Sequence, residues 1–147
     1  MSGLTSEKIM NLIIIGTGIF LIVLAGGRFL VDPVGAQSAF GIANVDTGDN
    51  YSFHYIKGIR DLIIGVYFLI LVAYRHHKLL GWFLAVSGVI AATDAWVVLG
   101  YNDGHGVLDA WMHLTALPIC IVGAWFYLMR SSTAATVSPA ERVGQLG

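Results

Sequence analysis

Lys57, Arg60 and Asp61 stand together in a stretch that is otherwise apolar, Tyr55-Ile56-Lys57-Gly58-Ile59-Arg60-Asp61-Leu62. On a helix Lys57 and Asp61 are i, i+4 neighbours and a natural ion pair, while Arg60 is turned about 100° from Asp61 and is free to reach another helix. Asp94, Asp109 and His113 lie in or beside later apolar runs, and Arg28 sits near the end of the first. A carboxylate can donate a proton, and a histidine can take or give one near neutral pH. Asp61, Asp94 and His113 are therefore the candidate catalytic residues: an aspartate supplies a proton and His113 removes one. Arg28 and Arg60 are placed to hold an anionic or carbonyl oxygen. Lys57 and Asp109 complete the polar lining, and Trp96, Tyr101 and Trp111 supply apolar wall, while the same tryptophans also suit anchors at the outer membrane interface.

Two other readings use the same residues. Lys57, Arg60 and Arg28 can neutralise Asp61 and Asp94 in a purely structural ion-pair network that fixes helix register. His105, Asp109 and His113 fall at i, i+4, i+8, with Asp94 within possible reach, which raises a metal site. His105 stands between two glycines, however, and neither an HExxH nor a Cys–His signature is present, so no metal and no cofactor is assigned.

These charges are informative because of where they occur. Hydrophobic residues make up 56% of the 147-residue chain and charged residues 12%, against about 25% in a soluble domain. Mean hydropathy is +0.75. A charged residue at mid-bilayer costs about 2.5–3.5 kcal/mol on insertion scales, so such residues are rarely kept without a role. The net charge of −1 gives no basic patch for nucleic acid. The single Cys120 rules out an intrachain disulfide and a dithiol redox mechanism.

The elements that must position the polar residues follow from the apolar runs. Ile9 to Val31 is long enough to cross a bilayer, and Asp32-Pro33 stops it. Leu24-Ala25-Gly26-Gly27 also has the look of a signal-peptide end, but the run is long and Arg28 suits a helix terminus. Residues 32–54 form a polar connection too long for a simple turn, with a short interfacial helix predicted over Val34–Phe40 and the character of a lid or binding segment. Further spans are predicted over Tyr55–Tyr74, Leu79–Gly100 and Gly106–Met129, the last kinked at Pro118. Arg75-His76-His77-Lys78 reads as a solvated basic turn beside anionic headgroups. The fold class is thus all-α, one polytopic four-helix membrane domain over residues 1–130, with residues 131–147 a disordered polar tail.

Four spans put both termini on one side. Lys8, Arg75, Lys78, Arg130 and Arg142 fall there, against Arg28, Lys57 and Arg60 opposite, which makes the termini cytoplasmic by the positive-inside bias. Arg28, Asp61, Asp94 and His113, from four different helices, then share one layer roughly 5–10 Å below the outer surface.

Several short motifs carry a family resemblance: Gly27-Arg28-Phe29-Leu30 followed by Pro33, Phe40-Gly41, Lys57-Gly58-Ile59-Arg60-Asp61-Leu62 followed by Gly65, and His113-Leu114-Thr115-Ala116. Over roughly residues 10–130 the chain resembles a family of small four-helix membrane proteins known only as a domain of unknown function, and its outline is similar to the DoxX-like membrane proteins. The resemblance implies a four-helix integral membrane fold and gives weight to Arg28, Arg60, Asp61 and His113; it implies no reaction. The expected function is binding of a hydrophobic or amphipathic small molecule between helices in the bilayer, with a non-redox isomerase or cyclase step as the enzymatic form. The alternative is a non-catalytic subunit or scaffold. A homo-oligomer is compatible with either.

Overall fold

The computed structural model describes residues 2–41, 48, 50–101 and 110–136, and everything described is helix or short connection. The first helical rod has three consecutive parts: α1 (Ser2–Phe20), a π-helical segment π1 (Leu21–Gly27) and α2 (Arg28–Val31). Then come α3 (Pro33–Phe40), α4 (Ser52–Ala73), α5 (His77–Tyr101) and α6 (Trp111–Thr136). Three stretches are long and apolar enough to cross a membrane: Ser6–Val31, His77–Gly100 and Trp111–Ser131. α4 is also 22 residues long but carries Lys57, Arg60 and Asp61 in its first half.

The element ends follow local chemistry. Asp32 leaves helical geometry before Pro33, and its carboxylate accepts from the Gly35 amide at 3.0 Å, capping α3, which begins with Pro33 at its first position. α3 ends at Gly41, whose φ of 96° is left-handed and cheap for glycine alone. The expected short helix over Val34–Phe40 is thus present and starts one residue earlier. Asp32→Ala should remove about 1 kcal/mol from this cap and speed amide exchange across residues 35–40, leaving α5 and α6 unchanged. Pro118 sits inside α6 without ending it, and α6 runs to Thr136, past the expected end near Met129. Residues 137–147 of the expected tail lie outside the described residues.

The helices associate as two pairs. α1 and π1 lie along α4, and α5 lies along α6, while the pairs meet each other less extensively. Within the first pair the backbones are nearly in contact. A Cβ at Gly26 would stand 2.6 Å from the Leu62 amide nitrogen and 2.7 Å from the Gly58 carbonyl oxygen, so only glycine permits this crossing.

Two cores occupy different levels. One joins Ile14, Phe68, Leu71, Leu80, Leu84, Cys120, Ala124 and Tyr127, from α1, α4, α5 and α6. The other joins Phe29, Ala36, Phe40, Val98 and Ala110, and fixes α3 across the distal end. At the terminal end Glu7 accepts from Arg130 at 2.7 Å, so α1 starts beside the point where the apolar part of α6 finishes. His77 also lies 3.4 Å from Glu7, and its ring packs on Tyr127, whose hydroxyl donates to Asn11. His77 is therefore part of the contact between pairs and not a solvated turn residue as its neighbours in sequence imply. Its partner Glu7 is supplied by α1, beyond the reach of local reading.

Candidate functional site

Between the two cores lies a cavity of about 430 Å³. Phe68 and Cys120 belong to its floor and Phe29, Ala36 and Phe40 to its roof. The walls come from both helix pairs: Leu21, Leu24 and Ile64 on one side, Ile90, Ala91 and Ala116 on the other. The lining is mainly apolar. Its polar members are Thr17, Arg28, Lys57, Asp61, Ser87, Asp94 and His113, most of them near the roof. A small, mostly apolar chamber with a few converging polar groups has the general form of a small-molecule site.

The polar roof is built around four charges. Lys57 Nζ donates to Asp61 Oδ2 at 2.6 Å and stands 3.5 Å from Asp94 Oδ2. Arg60 donates through Nε to Asp61 Oδ1 at 3.0 Å, and through Nη2 and Nη1 to the two oxygens of Asp94 at 2.7 and 3.4 Å. Each carboxylate thus faces both cations, and the set is neutral. Asp61 is buried at 7% side-chain exposure, whereas Arg60, at 35%, forms the outer side of the group. Arg60 does not line the cavity. It ties α4 to α5 and holds the two aspartates, the partners that the ion-pair reading gives it.

The roof is also aromatic. Lys57 Nζ lies 4.1 Å from the centre of the Phe40 ring and 5.2 Å from that of Phe29, a cation–π arrangement with α3 folded over the ammonium. The Phe40 ring meets the His113 ring edge-on at 4.5 Å. His113 Nε2 is 3.4 Å from the Phe40 carbonyl oxygen, to which it donates in the tautomer that protonates this nitrogen. Gln37 on α3 is 2.6 Å from His54 Nε2 on α4, which secures the same helix from its other face. In the sequence Phe29 and Phe40 stand only as parts of the family motifs, and residues 32–54 as a lid or binding segment; neither gives the two rings a role over Lys57 and His113.

Asp61, Asp94 and His113 are therefore brought to one cavity, together with Lys57 and Arg28. Arg28 stands half-exposed at the rim, its Nε 3.7 Å from Asp32. Trp111 lines the cavity with part of its ring exposed. Trp96 does not: it is 69% exposed on the outside of α5, the position of an interface anchor and not of a pocket wall. Asp109, His105 and the side chain of Tyr101 lie outside the described residues. Among those described, no group of three or more His, Cys, Asp and Glu side chains is arranged to hold a metal ion.

The family model for a domain of unknown function, DUF4267, matches residues 18–127, which contain the whole cavity lining except Thr17. The chain belongs to the DUF4267 family. No curated protein matches this DUF4267 chain, and no solved structure does. The matched region starts within α1 and ends in α6, so α3, the charged quartet and His113 are all part of the family domain.

Proposed function

We propose that this DUF4267 protein is a four-span integral membrane protein with cytoplasmic termini that binds a hydrophobic or amphipathic small molecule between its helix pairs. The cavity closed by two cores and roofed by Lys57, Asp94 and His113 carries this reading. α4 serves as the fourth span. Its length suffices, and its charges are neutralised within the protein, Lys57 and Arg60 by Asp61 and Asp94. The Glu7–Arg130 pair brings the two termini to one end, and the cation bias makes that end cytoplasmic.

The enzymatic form of the reading is a non-redox isomerase or cyclase. Both aspartates accept hydrogen bonds from cations and act as electrostatic supports. His113 is then the proton carrier, and Asp94 steadies the charge that develops there. Lys57 and Arg28 supply donors for a ligand oxygen.

Ala91, on the cavity wall at the level between floor and roof, offers the test. Ala91→Trp fills the chamber. Small molecules extracted from the purified wild type should fall at least tenfold in the variant, by mass spectrometry at equal protein. Equal recovery from both would refute the cavity as their site. A second reading, a non-catalytic scaffold locked by its ion quartet, is favoured by the closed and neutral pairing of Lys57, Arg60, Asp61 and Asp94. It predicts that Ala91→Trp changes nothing but packing.

A further inference from the structure

The described hydroxyls of the long helices mostly turn back on their own backbone. Thr17 donates to the Ile13 carbonyl, Thr93 to Val89, Thr115 to Trp111 and Ser131 to Leu128. This is the usual way to satisfy a helical hydroxyl in apolar surroundings. Ser87 differs. It is 7% exposed, lines the cavity, and makes no hydrogen bond among the described residues. Its hydroxyl opens on the apolar cavity and no described residue holds it, so it is free to meet a ligand oxygen. Ser87 stands seven residues before Asp94 on α5 and on the same face, which puts it two turns, or about 10 Å, deeper than the charged roof. The wall between the two levels is apolar, with Ile64, Ile90 and Ala91.

The other end has an equivalent vacancy in hydrogen bonding. The Arg28 guanidinium lines the rim, its contact with Asp32 is 3.7 Å, and no hydrogen bond engages it among the described residues. A planar fork of donors suits a carboxylate or another paired-oxygen group.

We propose that the ligand is an amphipathic molecule with oxygen at both ends: an acidic or carbonyl head at Arg28, and a second hydrogen-bonding oxygen at Ser87 Oγ, about two helical turns below Asp94, joined by an apolar chain or ring system. This rests on the cavity being a binding site, and narrows the ligand from any apolar molecule to a doubly oxygenated one.

Decanoic acid and ω-hydroxydecanoic acid are probes that differ only at the deep end. They are titrated into the full-length protein in nanodiscs, with empty nanodiscs subtracted. The wild type should bind the hydroxy acid about three- to tenfold more tightly, the usual net effect of one added hydrogen bond. Ser87→Ala should bind both acids alike, Ser87→Thr should keep the preference, and Arg28→Gln should weaken both acids equally. Equal binding by the wild type, or a preference that survives Ser87→Ala, overturns the assignment of Ser87 while leaving the cavity reading intact. Unchanged binding in Arg28→Gln overturns the assignment of the head. Failure of both acids to bind, or binding that persists in Ala91→Trp, overturns the cavity reading itself.

Discussion

Asp61→Ala should destabilise the protein by about 3 kcal/mol, measured by reversible unfolding in mixed micelles. Asp61 accepts from Lys57 and from Arg60, and is the most buried of the four charges. Its removal leaves two cations facing the single carboxylate of Asp94, with Lys57 largely shielded from water. The loss is placed at the lower end of the range for a broken buried pair because Asp94 remains in reach of both cations. Lys57→Met combined with Asp61→Ala removes one charge of each sign and should recover much of the loss, so the double-mutant cycle should give a coupling of 1–3 kcal/mol, on the order typical of contacting residues. A single-mutant effect below about 0.5 kcal/mol, the size of an ordinary surface change, would mean that the quartet does not hold α4 to α5.

Gly26→Leu should be as damaging for a different reason. The new Cβ falls within van der Waals overlap of two backbone groups on α4, the Leu62 nitrogen and the Gly58 oxygen, and neither can rotate away. The helices must separate, at a cost of about 3 kcal/mol or more. Gly16 on the same rod provides the control, since a Cβ there meets nothing within 4 Å. Gly16→Ala should stabilise by about 0.5–1 kcal/mol through helix propensity alone. Equal behaviour of the two substitutions would refute the close crossing of π1 and α4.

What could be read from sequence and what could not divide along physical lines. The apolar runs defined α5 and most of the first rod, because a membrane-length run needs no partner to be recognised. Asp61, Asp94 and His113 were legible as one group because rise per residue fixes depth along a helix. Rotation about the axis is harder. α5 is apolar nearly all round, so periodicity does not say which face looks inward, and it could not decide between Trp96 as pocket wall and Trp96 as interface anchor, the position its exposure fits. Arg60 could be seen to point toward another helix, but not that Asp94 would occupy both sides of its fork. The role of Phe40 was not legible, because it depends on how α3 folds back over Lys57, which the Asp32 cap and the Gly41 stop permit without dictating. The contact of His77 was illegible for the same kind of reason, its partner Glu7 lying near the start of α1, far away in sequence.

The uneven division of the quartet between its two helices has a consequence for synthesis. α4 contributes two cations and one carboxylate, and the balancing Asp94 follows 34 residues after Arg60. On the four-span reading, α4 leaves the ribosome with one positive charge whose partner in the quartet, Asp94, is not yet made. The translocon therefore has to retain α4, or let it rest near the aqueous surface, until most of α5 has been translated. On that reading α4 and α5 partition into lipid as a unit, and in a ribosome-bound chain stalled between them a cysteine introduced into α4 should still react with a water-soluble maleimide.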